Sequence, residues 1–150
     1  MFYFITKMKL SKLLKKLNAI PNINKGGCGW AALCIYDWLQ ANNRLAPDAA
    51  IAFLHSSDCL SLADNLVSPE DKKIPSTHVM VFNNGEFIDS HGFYRKSKGK
   101  LTVRDLTVKS SHIAYGSIEG LIHALKNSSW NPEFNVLEID HLLPDNLNLQ

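Results

Sequence analysis

The sequence predicts an α+β fold, in which helices come first and mainly antiparallel strands follow. Three observations predict it: a leading amphipathic helix, a second helix that is apolar almost all round, and a hairpin turn signal at Asn84-Gly85 between strand-like segments. A chain of 150 residues has room for one core, so we assign residues 1–150 to a single domain.

The first helix is predicted over residues 7–20. The apolar residues of one helix face recur at i, i+3, i+4 and i+7, namely Leu10, Leu13, Leu14 and Leu17. The lysines lie elsewhere around the helix. A helix lying on a membrane surface would have the same pattern as one that covers a core. We adopt the second interpretation, because a surface helix of a globular protein needs nothing more than this pattern.

The second helix is predicted from Cys28 to about Gln40. Its side chains are apolar on nearly every side, with Asp37 and Gln40 as the polar exceptions. A helix of this composition belongs inside a protein. A loop rich in Asn and Gly, residues 21–27, comes directly before it, so Cys28 is expected in the first helical turn.

The remaining elements are mainly strands. The clearest strand signal is Thr77–Phe82, followed by the turn Asn84-Gly85 and a return strand from Glu86 to Ser90. Ser117 is predicted to be the N-cap of a helix that runs to about Lys126. Further predicted elements are strands at 49–54, 101–103, 106–108 and 134–139, and a short helix at 60–66.

Composition and charge argue against several classes of partner. The net charge of +2 is too small to predict nucleic-acid binding. The densest basic stretch, from Arg95 to Arg104, is interpreted as a solvated loop, with a phosphate-binding patch as the alternative. The apolar patch after Met1 has four residues before Lys7, too few for a signal segment or a membrane span.

The cysteines favour a reducing compartment. Cys28, Cys34 and Cys59 cannot all be paired, and an odd count without a secretion signal favours free thiols and a cytoplasmic location. Zinc is a weak alternative. Ligand-type residues are present at Cys28, His55, Cys59, His78, Asp89 and His91, but structural zinc sites usually contain close Cys or His pairs. Cys28 and Cys34 are six residues apart on the predicted helix, and His55 with Cys59 is weak evidence by itself. We therefore expect no metal and no cofactor.

Cys28 is the candidate nucleophile. A thiol attacks a carbonyl as the thiolate, and the free N–H groups and partial positive charge of a helix N terminus favour that anion. The glycines around it, Gly26, Gly27 and Gly29, allow backbone to pass close to a substrate chain. The backbone N–H of Cys28 can then stabilise an oxyanion. The alternative is a buried cysteine that packs as a small apolar residue.

The hairpin supplies a candidate base and its partner. With a two-residue turn, Phe82 pairs with Phe87 and Met80 with Asp89, so Asp89 lies one diagonal step from His78 on the same face. Asp89 could then orient His78 and stabilise its protonated form. A three-residue turn would place the two on opposite faces, but the turn residues favour the shorter one. His91 is the rival for the base.

The segments around these residues resemble the papain-like cysteine peptidases and the related transglutaminase-like proteins. The similarity lies in Gly26-Gly27-Cys28-Gly29-Trp30-Ala31-Ala32-Leu33, and in His78-Val79-Met80-Val81 followed by Asn84-Gly85 and Asp89. It implies a papain-like fold, with the buried cysteine helix packed on a mainly antiparallel sheet. It also implies an amide side chain before the cysteine to complete the oxyanion hole, for which Asn22 is the first choice and Asn24 the second.

The function expected from these residues is hydrolysis of an amide or isopeptide bond by a Cys28–His78–Asp89 triad, with a peptide or protein as substrate. Gly27 and Trp30 are expected to contact that substrate, although core packing is the commoner fate of a residue such as Trp30 or Phe93. An amine acceptor would make the same site a transglutaminase, and release of ammonia would make it a deamidase. A binding module that has lost the chemistry is the third possibility.

Overall fold

The computed structural model describes residues 8–24, 27–55, 78–126 and 134–144. In these ranges the protein is α+β, as predicted. The helices are α1 (Leu10–Asn18), α2 (Cys28–Ala41) and α3 (Ile118–Lys126). The strands are β1 (Ala50–Leu54), β2 (His78–Asn83), β3 (Glu86–Asp89), β4 (Gly92–Tyr94), β5 (Lys100–Val103), β6 (Leu106–Lys109) and β7 (Ile113–Gly116). Short 3₁₀ helices span Ser110–His112, Val136–Glu138 and Asp140–Leu142.

The strands form one larger and one smaller antiparallel sheet. The larger has five strands in the order β4-β3-β2-β1-β7, and β5 and β6 pair with each other as a hairpin. Since β2, β3 and β4 are neighbours both along the chain and in the sheet, the segment from His78 to Tyr94 folds by short local connections, whereas β7 pairs with the distant β1.

The two faces of the larger sheet are covered by different elements. On one face α2 packs against β2 and β3, in a core cluster that includes Val79, Val81 and Ile88. On the other face lie Met80 and Phe87, packed with Leu101 and other residues of the β5–β6 hairpin. The alternation of side chains along β2 thus fills two separate apolar clusters.

The apolar composition of α2 matches its position. Nine of its residues are buried, among them Trp30, Ile35 and Trp38, so the helix lies inside the protein as the sequence predicts. The amphipathic helix α1 covers it: Leu13, Leu14 and Leu17 are buried, and Trp38 Nε1 donates a hydrogen bond to the Met8 carbonyl at 2.9 Å. The leading helix therefore has a core-covering face.

The predicted strand Phe134–Ile139 is wrong. Phe134 is buried against the core, but Val136–Glu138 is a 3₁₀ helix. The physical reason lies in Asn135, whose side-chain oxygen accepts a hydrogen bond from the Leu137 N–H at 3.1 Å and so caps a helical turn. The helix predicted at 60–66, Cys59 and the first residues of both the leading helix and the strand Thr77–Phe82 lie outside the described residues.

None of the helices in the described ranges has the length and apolar character needed to span a lipid bilayer.

Candidate active site

Cys28 is the first residue of α2 and is partly exposed. The first helical turn is closed by a hydrogen bond from the Ala31 N–H to the Gly27 carbonyl at 3.0 Å, which leaves the first N–H groups without partners within the helix. A Cβ atom on Gly27 would lie 2.6 Å from the Phe134 ring and 2.8 Å from Ile23 Cα. Close packing therefore requires glycine beside the thiol.

The hairpin brings His78 and Asp89 together. His78 Nε2 lies 2.9 Å from Asp89 Oδ2, and both side chains are buried, at 5% and 3% exposure. The turn has two residues, Asn84 and Gly85, with φ of 54° and 77°, and this sets the predicted register. The pairs are Val81 with Ile88, Phe82 with Phe87 and Asn83 with Glu86. The diagonal contact predicted from the turn is confirmed.

Asp89 accepts more hydrogen bonds than the one from His78. Arg104 Nη1 donates to Oδ2 at 2.9 Å, and the backbone N–H of His91 donates to Oδ1 at 2.8 Å. Burial alone would raise the pKa of Asp89, but the hydrogen bonds from His78, Arg104 and His91 hold it below its usual 3.8. The carboxylate is therefore ionised at neutral pH.

The imidazole of His78 has two partners. Burial lowers its pKa, but hydrogen bonds with Asp89 and Cys28 and the charges of both groups outweigh burial and raise the pKa to about 9. Because Nε2 is bonded to Asp89, Nδ1 is the nitrogen left to exchange a proton with the thiol. His78 is therefore protonated at neutral pH and can donate that proton to a neighbouring group.

Arg104 is a site residue that sequence reasoning missed. It was assigned to a solvated basic stretch, but it stands in the turn between β5 and β6, with φ of 56°, and its guanidinium reaches both Asp89 and the Tyr94 hydroxyl, the latter at 3.2 Å. No sequence pattern near Arg104 predicts this contact, because the contact depends on how the β5–β6 hairpin packs over the larger sheet.

Arg104→Gln is expected to lower the free energy of unfolding by about 1 kcal/mol, because the side chain is 34% exposed but bonds a buried carboxylate. Urea denaturation at neutral pH measures the loss. Arg95→Gln is the matched control, since Arg95 pairs with Glu86 at 3.5 Å and is 70% exposed. Equal losses in the two variants would mean that the contact with Asp89 contributes nothing of its own.

The structure separates the two candidate oxyanion amides. Asn22 is exposed in a left-handed conformation, with φ of 62°, and its carbonyl accepts a hydrogen bond from the Gly27 N–H at 3.2 Å. Asn24 is partly buried: its Nδ2 donates to Ser90 Oγ at 3.3 Å and lies 3.1 Å from His91 Nε2. The Asn24 amide is thus anchored beside the turn that follows Asp89, whereas the Asn22 side chain lies at the surface.

The remaining candidate residues differ in how far their side chains are exposed. Trp30 is 7% exposed in the core cluster, so packing accounts for it and little of its surface is left for a substrate. Phe93 is 49% exposed. His91, the rival base, is exposed, and only its backbone N–H is bonded to Asp89. Cys34 is a buried free thiol whose Sγ donates to the Leu142 carbonyl at 3.5 Å.

Within the described ranges, no three His, Cys, Asp or Glu side chains are grouped closely enough to hold a metal ion. Comparison of the chain with protein-family models, with curated proteins and with solved structures gave no match. The chemistry of Cys28, His78 and Asp89 is therefore the basis for assigning a function.

Proposed function

We propose that the protein is a cysteine-dependent hydrolase that cleaves an amide or isopeptide bond through a thioester intermediate. The observation that carries this proposal is the buried hydrogen bond of 2.9 Å between His78 and Asp89. Cys28 is near enough to help raise the pKa of that imidazole. A thiol, a base and a group that orients the base are the parts that nucleophilic catalysis by cysteine requires.

The first step is attack by sulfur. Because the pKa of His78 is about 9, the imidazole carries its proton at neutral pH, and its positive charge stabilises the Cys28 thiolate. The thiolate attacks the carbonyl carbon, and the electron pair of the C=O bond moves to oxygen. The Cys28 N–H and an asparagine amide, from Asn22 or Asn24, stabilise that oxyanion.

Collapse of the tetrahedral intermediate breaks the C–N bond. His78 gives its proton to the departing amine, and the acyl group remains on Cys28 as a thioester. A water molecule then loses a proton to His78 and attacks the thioester. The C–S bond breaks, the carboxylic acid leaves, and the thiolate and the protonated imidazole are restored. Throughout, Asp89 compensates the charge on His78.

A papain-like architecture is part of this proposal, supported by the cysteine at the start of a buried helix that packs on an antiparallel sheet. The same three residues would serve a transglutaminase if an amine replaced water, or a deamidase if ammonia left from a glutamine side chain. A non-catalytic papain-like binding module is the remaining alternative, and it predicts an unreactive Cys28.

Alkylation by iodoacetamide at neutral pH tests the proposal. Peptide mass spectrometry should find Cys28 modified rapidly while Cys34 is spared, because burial raises the pKa of the Cys34 thiol. His78→Ala should slow modification of Cys28 by about tenfold or more, since the stabilising positive charge is lost. Slow alkylation of Cys28, or a rate that His78→Ala leaves unchanged, would count against the triad.

A further inference from the structure

A cleft of about 850 Å³ lies between α1 and the turn that follows β3. Its volume is in the range of cavities that hold small ligands or several side chains. Ser90 and His91, the two residues that directly follow Asp89, form part of its wall. The cleft therefore adjoins the proposed active site without containing Cys28 or His78 among its lining residues.

The polar lining of this cleft is positively charged. Lys9, Lys15 and Arg44 line it together with His91, and none of the described residues that line it is Asp or Glu. Lys9, Lys15 and Arg44 are exposed, so their charges are available to a ligand. The guanidinium of Arg44 lies over the Trp38 ring, 5.3 Å from its centroid, which holds that cation in place.

The rest of the lining mixes apolar and neutral polar residues. Leu10 is partly exposed and Phe93 is 49% exposed, whereas Leu14 and Trp38 are almost fully buried. Ligand pockets are lined mainly by hydrophobic and aromatic side chains, with a few polar groups that fix orientation. The cleft thus offers apolar contact together with basic side chains that form no salt bridge within the described residues, and a matching ligand carries apolar groups and carboxylates.

Hydrogen bonds connect the cleft to the loop before Cys28. Ser90 Oγ donates to Asn18 Oδ1 at 3.4 Å, which joins the end of α1 to the turn after β3. Asn24 Nδ2 donates to the same Ser90 Oγ at 3.3 Å. One end of the cleft is therefore continuous with the segment that leads to the thiol.

We propose that this cleft binds the part of a polypeptide substrate in which acidic side chains flank large apolar ones. The inference rests on the proposed function, because it makes the cleft a specificity site for the amide bond that Cys28 attacks. Charge complementarity supplies both attraction and selectivity: carboxylates lie near Lys9, Lys15 and Arg44, and an apolar side chain packs on Phe93.

A polypeptide fits this cleft better than a nucleic acid does. Phosphates would be attracted to the same lysines and bases would stack on Phe93, but the net charge of the chain is only +2, which is too small to predict nucleic-acid binding. The few basic side chains of the cleft match the carboxylates of an acidic polypeptide. Binding of single-stranded DNA is accordingly one of the outcomes that the test distinguishes.

The test uses Cys28→Ala protein, so that binding is measured without turnover. The probe is a short fluorescein-labelled peptide of alternating leucine and glutamate, compared by fluorescence anisotropy with the same peptide carrying glutamine instead. The glutamate peptide should bind about tenfold more tightly, and high salt should weaken its binding. Equal affinity for the two peptides would overturn the proposal.

The chain offers a matched pair of charge variants on α1. Lys9→Glu with Lys15→Glu reverses two charges that line the cleft, whereas Lys12→Glu with Lys16→Glu reverses two that do not, with the same change in net charge. The first variant should bind the glutamate peptide about tenfold more weakly, and the second within about twofold of the parent. Circular dichroism checks that both retain the helix.

Two further results would overturn the proposal: equal weakening in both double variants, which would indicate non-specific attraction, and tighter binding of single-stranded DNA than of the acidic peptide. Peptide binding and Cys28 alkylation together distinguish failure of the cleft proposal from failure of the hydrolase proposal. Rapid alkylation of Cys28 in the parent protein, without peptide binding by Cys28→Ala, would exclude the cleft as a binding site and leave the hydrolase standing. Peptide binding by Cys28→Ala, combined with slow alkylation of Cys28 in the parent, would support the cleft as a binding site and contradict the proposed hydrolase.

Discussion

Cys28→Ala should reduce hydrolysis of amide bonds by about a thousandfold or more, because the covalent step loses its nucleophile. Cys28→Ser should be equally inactive, since a hydroxyl holds its proton far more strongly than a thiol and His78 cannot remove it in the resting enzyme. Hydrolysis is measured with a mixture of internally quenched peptides rich in glutamate and leucine.

The fold should survive this change, because Cys28 is partly exposed and its truncation leaves no closed cavity. The thermal unfolding midpoint of Cys28→Ala should therefore match that of the parent. Cys34→Ala is the control: its thiol is buried and bonded to the Leu142 carbonyl, so that variant should lose stability and keep activity. Retained hydrolysis in Cys28→Ala would remove Cys28 from the mechanism.

The sequence predicts the β2–β3 hairpin well because its determinants are local. Asn84 and Gly85 specify a two-residue turn, that turn specifies the register, and the register places Asp89 diagonally from His78. The position of Cys28 at the start of α2 is local in the same sense, since a glycine-rich loop meets an apolar helix there. Pairing rules thus predict the contact between His78 and Asp89, but not the contacts of Asp89 with Arg104 and with the His91 N–H.

The contacts that sequence reasoning misses depend on packing between distant elements. Arg104 reaches Asp89 only because the β5–β6 hairpin lies over the second face of the sheet, and no pattern within residues 100–109 specifies that docking. The cleft arises in the same way, from α1 and the turn after β3. Strands β4 and β7 were also missed, since each has three or four residues and no marked alternation.

Asp89→Asn is expected to cost about 3 kcal/mol of unfolding free energy near pH 6, because it leaves the buried His78 without its anion and Arg104 without its acceptor. The size agrees with the pKa of His78. Asp89 and Cys28 together raise this pKa from 6.5 to about 9, which corresponds to about 3 kcal/mol at 1.36 kcal/mol for each pH unit and sets the scale of the Asp89 contribution.

The pH dependence of this loss is the sharper test. In the parent the pKa of His78 is raised on folding, so the stabilisation is fully present below pH 6.5 and is lost as pH rises through about 9. In Asp89→Asn the carboxylate that helps to raise the pKa of His78 is gone, so burial weighs more heavily against the protonated imidazole and the variant lacks this stabilisation at low pH. The difference between the two proteins should shrink steadily from pH 6 to pH 9.

Urea denaturation of both proteins across this range measures that difference, and Asp48→Asn is the matched control. Asp48 accepts hydrogen bonds from the backbone N–H groups of Asn84 and Gly85, at 2.7 and 3.0 Å, so its loss weakens the same hairpin without changing the charge beside His78. Its cost should stay constant between pH 6 and pH 9. A cost of Asp89→Asn that is equally constant would show that His78 is not held in its protonated form by Asp89, and the resting ion pair of the proposed mechanism would then have no physical basis.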